Sequence, residues 1–459
     1  MSSNSSLPQD LLFFSNQLTG YTSNTIRIQT LSTNTLGDQG AQSCTVALPV
    51  SGVCNLKSFS MHFTASTRGV PMTGTDNNAV YALLPGVDAF IDRVGISCGG
   101  IALDNQPSNI NMIQAMKDNL YKSTTKYLSD DRVLGNSTLT AINQTDSWAI
   151  SNHGQKRQLI KTHWPGFLSE CEPCYMDLSK VPEIRVTLQI ASNTVLPVQY
   201  QGRPLGDRTP VAPNAGFTGT QCHFDLENIY FTLEMISVNG GMLEELNQRI
   251  ISERGQIDVP YKQYQFFSTD LGNVGGSLRS SVSTMSLDRL YAVQRNNAPV
   301  SGGTPGVTYD PYTLQQPPVP CVDAMGTSHV IAHNNFMSKG LANWKFQVNN
   351  SPYPMYNPSP LDAYWLVVSG SGRSQSYVHG SLVGSDSCWL NNMYTSVVTL
   401  NHSDDVRLIS GMNLSSINAQ ISYEGTSDGT ATFGRQLCIV TEQTSLLRIG
   451  SSRSISVIA

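Results

Sequence analysis

The sequence predicts an all-β protein made of two antiparallel sandwich units in tandem, with a few short helices. Three observations carry this expectation: period-two alternation in nearly every apolar run, spacers rich in Gly, Pro, Asn and Ser, and the length. At 459 residues the chain suits two units of roughly 200 residues each.

The alternation recurs along the whole chain. Phe59, Met61 and Phe63 are interleaved with Ser58, Ser60 and His62, and Ile184, Val186, Leu188 and Ile190 with Arg185, Thr187 and Gln189. Ile229, Phe231, Leu233 and Met235 repeat the pattern, as do Trp344, Phe346 and Val348, then Ile417, Ala419, Ile421 and Tyr423. Such spacing puts one face of a strand in a core and leaves the other polar, which suits antiparallel sandwiches rather than parallel α/β sheets. The spacers 68–78, 201–219 and 296–320 are rich in Gly, Pro, Asn and Ser. The last two are long for loops inside a compact unit and are expected to carry surface function.

Two segments have helical spacing. Ile110, Ile113, Met116 and Leu120 predict a helix over 108–121; Leu243, Leu246 and Ile250 predict another over 242–254. The second follows the turn Asn239-Gly240-Gly241, and Ile257-Asp258-Val259-Pro260-Tyr261 then resumes strand chemistry. This divides the chain into an arm (1–20), a first unit (21–238), a helical linker (239–256) and a second unit (257–459). The halves share no sequence repeat, although one alternating pattern can be met by many sequences.

Charged residues are 13% of the chain, against about 25% in a typical soluble domain. A neutral polar surface is easily desolvated and suits a protein packed against copies of itself; a Ser/Thr-rich lectin is the competing class. The net charge is −5, and the first basic residue is Arg27, so the N-terminal arm has no cation with which to neutralise phosphate. No run reaches the roughly 18 apolar residues of a membrane-spanning helix. Met1 is followed by Ser and Asn rather than by a basic then apolar stretch, so no secretory signal is expected. The nine cysteines are an odd set, read as reduced thiols.

Sequence motifs for catalysis or metal binding fall short of what the chemistry needs. Cys171 and Cys174 are half of a zinc-ribbon pattern without its second pair, and His329 with His333 offers two ligands where a structural zinc needs four. Asp130-Asp131 and Asp404-Asp405 are adjacent, so in a strand they face opposite ways, whereas glycoside hydrolysis needs carboxylates facing each other. Gly302-Gly303-Thr304-Pro305-Gly306 lacks the Lys of a phosphate loop. Gly425-Thr426-Ser427-Asp428-Gly429 has the letters of a serine-hydrolase elbow, but Thr430, Thr432 and Phe433 predict a strand where the elbow needs a helix; a hairpin turn is expected instead. No catalytic residue, cofactor site or metal site is therefore assigned. Tyr309, Tyr312, Tyr353, Tyr356 and Tyr364 could form an aromatic carbohydrate-binding patch, or pack at loop bases and contacts between copies.

Several short stretches, in order, resemble one family. They include Asn55-Leu56-Lys57-Ser58-Phe59, Ile91-Asp92-Arg93-Val94 with Cys98-Gly99-Gly100, and Ile229–Ile236 followed by Ile257–Lys262. Val282–Leu290, Trp344–Asn349 with Tyr353-Pro354, Ser410-Gly411-Met412-Asn413 and Ser445–Gly450 complete the set. The order is similar to that of double jelly-roll major capsid proteins of polinton-like viruses, virophages and adintoviruses, with relatives in giant DNA viruses. The resemblance covers about residues 20–459. It implies two tandem eight-stranded jelly rolls, a structural rather than enzymatic role, and a place in the virion. It also implies assembly with copies of itself into pseudo-hexameric homotrimers that make lateral contacts, with penton and minor capsid proteins as further partners. A minor vertex or receptor-binding protein is the alternative.

Overall fold

The computed structural model describes residues 21–68, 80–82, 87–105, 109–121, 156–192, 195, 198–200, 223–238, 248–253, 255–271, 277–296, 321–322, 328–329, 336, 338, 341–370, 394–403, 405–415, 419–427, 435–450 and 453–458. The strands of the first half are β1 (Tyr21–Gln29), β2 (Leu36–Gly37), β3 (Ser43–Ala47), β4 (Val53–Arg68), β5 (Val80–Ala82), β6 (Ile91–Cys98), β7 (Ile101–Asn105), β8 (Arg157–Lys161), β9 (Tyr175–Asp177), β10 (Ile184–Ile190), β11 (Val198–Tyr200) and β12 (His223–Val238). Those of the second are β13 (Ile257–Leu271), β14 (Ser277–Val282), β15 (Leu287–Asn296), β16 (Cys321–Val322), β17 (Ser328–His329), β18 (Leu341–Val348), β19 (Ser351–Tyr353), β20 (Ser396–Thr399), β21 (Ala419–Ser427), β22 (Arg435–Ile449) and β23 (Ile455–Ile458). Helix α1 spans Ile110–Tyr121 and α2 Pro360–Gly370; residues 248–253 are also helical.

Each half is a sandwich of two antiparallel sheets with a main path of four strands apiece. In the first half the orders are β1-β12-β4-β8 and β3-β10-β6-β7; in the second they are β13-β22-β15-β20 and β14-β21-β18-β19. The two sets superpose as topology: β1 corresponds to β13, β4 to β15, β8 to β20 and β12 to β22, and the facing sheets correspond strand for strand. Helices α1 and α2 correspond too, since each follows the last strand of that second path. The duplication absent from the sequence is present in the fold.

The expected alternation sets the burial. In β10, Ile184, Val186, Leu188 and Ile190 are buried while Arg185 and Thr187 are exposed. In β4 the buried set is Cys54 and Leu56, then Phe59, Met61 and Phe63, so the parity flips between Leu56 and Phe59. The pairing of β4 with β12 shifts register at that point. Ser58 fixes the bulge by donating to the Asn55 carbonyl at 2.6 Å and accepting from the Glu234 amide at 2.8 Å. Residues 56–59 of β4 there face only Leu233 of β12; such extra residues re-aim their neighbours, and Lys57 is directed at Glu172 at 2.7 Å.

Helix α1 starts at Ile110 rather than 108 because Asn109 sits at φ 73, outside helical space, with its amide donating to Asp92 at 2.9 Å. The hairpin expected at 425–429 is corrected by the sheet order. β21, which ends at Ser427, pairs with β14 and β18, whereas β22 pairs with β13 and β15, so the two strands form no hairpin; residues 428–434 lie outside the described residues. The spacers 69–79, 201–222 and 297–320, together with His333, Asp130, Asp131, Asp404, Tyr309 and Tyr312, lie outside the described residues.

Candidate functional site at the junction between the halves

The two apolar cores are not confined to one half each. Val259 and Tyr261 of β13, with Leu447 and Ile449 of β22, are buried in the core of the first half. Conversely Met112, Ile113, Met116 and Leu120 of α1 are buried in the core of the second. α1 lies on the outer face of the β13-β22-β15 sheet, the face that carries Tyr264, Tyr291 and Glu442, and Tyr121 meets Tyr291 oxygen to oxygen at 3.1 Å.

Backbone pairing adds a second tie. Residues 170–172, between β8 and β9, lie antiparallel to the start of β13. The Glu172 amide donates to the Pro260 carbonyl and the Lys262 amide to the Glu170 carbonyl, both at 3.0 Å, around a Cys171–Tyr261 bridge. The Tyr261 hydroxyl then donates to the Leu103 carbonyl at 2.6 Å. An edge that would otherwise be open to strand addition is thus used within the chain.

Between these ties sits a chain of buried charges. Lys262 Nζ is 2.5 Å from Asp288 Oδ2 and donates to Thr444 Oγ1 at 3.0 Å, and Thr444 donates to the same Asp288 oxygen at 2.5 Å. Ser286 donates to Asp288 Oδ1 at 2.7 Å and accepts the Gly411 amide at 3.0 Å. Arg289 and Tyr291 donate to the two oxygens of Glu442 at 3.3 and 2.7 Å. From the first half, Lys117 pairs with Glu170, and Tyr264 donates to Glu170 at 2.8 Å. Gly411 is required at the node, because a Cβ there would lie 2.3 Å from Asp288 Oδ1 and 2.6 Å from the Leu287 carbonyl.

Environment sets the protonation of these groups. Burial would push Glu442 up, but Arg289, Lys117 and Lys262, with the hydrogen bond from Tyr291, hold it down at about 2. Burial raises the Tyr264 and Tyr291 phenols, helped by Glu170 and Glu442 respectively, so both stay hydrogen-bond donors. Burial pushes the Cys171 thiol up to about 12, which makes it a poor nucleophile or metal ligand. A cleft of about 830 Å³ opens beside the node, lined among others by Lys57, Lys117, Glu170, Arg289, Arg407 and Glu442. Arg407 and Glu172, both in its lining, pair at 3.5 Å.

No protein-family model and no curated protein sequence matches the chain. Solved structures do. The PBCV-1 virus capsid protein matches over 97% of this chain and 99% of its own, with a TM-score of 0.59 at 12% identity. The Faustovirus major capsid protein matches over 95% and 92%, with 0.58 at 10%. The mavirus major capsid protein matches over 100% and 94%, with 0.50 at 10%. The fold is that of the double jelly-roll major capsid proteins.

In this double jelly roll the stretches quoted for the resemblance converge. Lys262, Ser286, Asp288, Arg289 and Gly411 all belong to them and all meet at the buried node. Sequence reasoning assigned none of these a role and missed Lys117, Glu170 and Glu442 altogether. One signal was available: Thr441-Glu442-Gln443-Thr444-Ser445 is an unbroken polar run set between the apolar stretches Leu437–Val440 and Leu446-Leu447, and every one of its residues is buried. Of the tyrosines considered for a surface patch, Tyr353 and Tyr364 pack against the second core, while Tyr356 is exposed. His329 lies in β17, paired with Cys321.

Proposed function

We propose that the chain is the structural major capsid protein of an icosahedral DNA virus, resident in the virion, and that three copies close into a pseudo-hexameric capsomer. The observation that carries this reading is the full-length likeness to solved capsid proteins of both jelly rolls. The duplicated topology supports it, since three chains of two like units supply six similar blocks around one axis. The sparse charge supports packing against copies, and the welded junction makes each chain a rigid tile. Penton and minor capsid proteins are its expected further partners. A catalytic role finds no support at the junction: Glu442 is held ionised, and the phenols and Cys171 are pushed up, away from the range a general acid or base needs.

Light scattering on the purified protein, with negative-stain imaging of the same sample, tests the proposal. The expected result is a mass of three chains and a hexagonal outline. A protein that stays a single chain across salt and pH would overturn it.

A further inference from the structure

Lys262 and Asp288 are placed to react as well as to attract. Lys262 Nζ lies 2.5 Å from Asp288 Oδ2, and the two side chains are 9% and 2% exposed. The carbon of a C=O group lies ~1.2 Å behind its oxygen, so Nζ is within ~3.7 Å of the Asp288 carboxyl carbon. A nucleophile is poised for attack at about 3–3.5 Å, and an uncharged lysine amine is a competent nucleophile.

The two oxygens of Asp288 have different surroundings. Oδ1 accepts from the Ser286 hydroxyl at 2.7 Å, and Ser286 is itself fixed by the Gly411 amide at 3.0 Å. A donor fixed in this way stabilises negative charge as it develops on Oδ1. Oδ2 faces Thr444, whose hydroxyl accepts from Lys262 Nζ at 3.0 Å and donates to Oδ2 at 2.5 Å. That hydroxyl bridges the nitrogen and the oxygen, so it can pass a proton from one to the other. Glu442 Oε1, 3.7 Å from Nζ, places a second negative charge beside the nitrogen. A second buried lysine pair, Lys161 with Asp88, is arranged differently. Its ammonium also donates to the His163 carbonyl at 2.7 Å, and a carbonyl has no proton to hand on.

We propose that Lys262 and Asp288 condense, once the chain has folded, into an amide that ties β13 to β15, with Thr444 as the proton relay. The ammonium first passes one proton to Oδ2, leaving an amine beside a carboxylic acid. The Nζ lone pair attacks Cγ, and the C=O electron pair moves onto Oδ1, where Ser286 holds it. A second proton leaves Nζ through Thr444 and reaches the Oδ2 hydroxyl. The Cγ–Oδ2 bond then breaks, and water departs into the cleft that Lys262 lines. One C–N bond replaces one C–O bond, two ammonium protons leave in the water, and nothing is oxidised or reduced. Burial favours the amide, because the water that drives the reverse reaction is excluded.

This is a single self-modification rather than a turnover, and Glu442 stays ionised throughout. The ion pair is the state before the bond forms. β13 and β15 flank β22 in the sheet, so the amide crosses β22 at Thr444 and closes a ring between residues 26 positions apart. The inference concerns one chain and stands whether or not three assemble.

Mass spectrometry of the full-length chain tests it, on protein freshly purified and on protein kept folded for a week, each denatured before analysis. The expected result is an intact mass lower by one water. Trypsin should then release a branched product in which 255–279, uncut at Lys262, is joined to 280–289. Lys262→Arg keeps the charge and should show neither change. Thr444→Val removes the relay and should slow the branched product about a hundredfold, the low end of what a positioned proton-transfer group contributes. Should a variant not fold, as judged by its thermal melt, wild-type chain held in urea replaces it and should stay unbranched. A folded wild type that keeps its full mass and yields separate peptides would overturn the inference. So would a mass loss without the branched product, which would place the missing water in a cyclised aspartate. Branching at the wild-type rate in Thr444→Val would overturn the relay on which the inference rests.

Discussion

Asp288→Ala is expected to destabilise the folded chain by about 3–5 kcal/mol, the usual cost of removing one partner from a buried ion pair. Asp288 is 2% exposed and accepts from Lys262, Thr444 and Ser286. Without it an ammonium group 9% exposed loses its nearest counter-charge, and two hydroxyls lose their acceptor. Urea denaturation followed by circular dichroism measures the cost. Adding Lys262→Met to Asp288→Ala should recover at least half of it, because the penalty lies in the stranded charge rather than in the lost attraction. A single-variant loss below about 1 kcal/mol would mean that water reaches the node and that it holds nothing together.

The neighbouring carboxylate gives the same joint a pH signature. Glu442 is lowered from 4.5 to about 2 in the folded chain. A depressed carboxylate contributes stability that is complete above its unfolded value and is lost as pH falls through the folded one. The window therefore runs from about 4.5 down to about 2, and the contribution is about 3 kcal/mol. In Glu442→Gln the difference from wild type should shrink across that window and be constant above it. A difference that does not change with pH would show that Glu442 is not held ionised by its cations.

The strands were legible because period-two burial is a local property. Ile184–Ile190 and the core positions of Trp344, Phe346 and Val348 follow from the residues themselves. α1 was legible for the same reason at helical period. What escaped was whatever depends on two distant stretches at once. The bulge at Lys57-Ser58 is fixed by the Glu234 amide, 176 residues away, and nothing in the local pattern marks it. The node joins β13, β15 and β22, with Lys262 and Thr444 separated by 182 residues. α2 escaped for a different reason. It is apolar on its buried face at Ala363 and Val367 and on its open face at Leu361 and Trp365, so amphipathic period is lost. Its start was still written in Ser359-Pro360-Leu361-Asp362, where a capping hydroxyl, a first-turn proline and an acid three residues on mark a helix N-terminus.

That both faces of α2 are apolar while α1 is buried in the opposite roll leads to the second large effect. Met116 is 0% exposed and belongs to the core of the second half, though it lies in the first half of the sequence. Met116→Asp would place a carboxylate in an apolar site, at a cost of several kcal/mol unless the helix is expelled. The expected result is loss of amide-exchange protection in β13, β15 and β22 as well as in α1, while Met116→Leu, which conserves volume, stays close to wild type. If protection fell only within the first roll, α1 would be a local ornament and the halves would be separate domains joined by a linker. Collapse of both halves together would make the chain one cooperative tile, because a helix that supplies core to the other roll cannot be lost by one half alone.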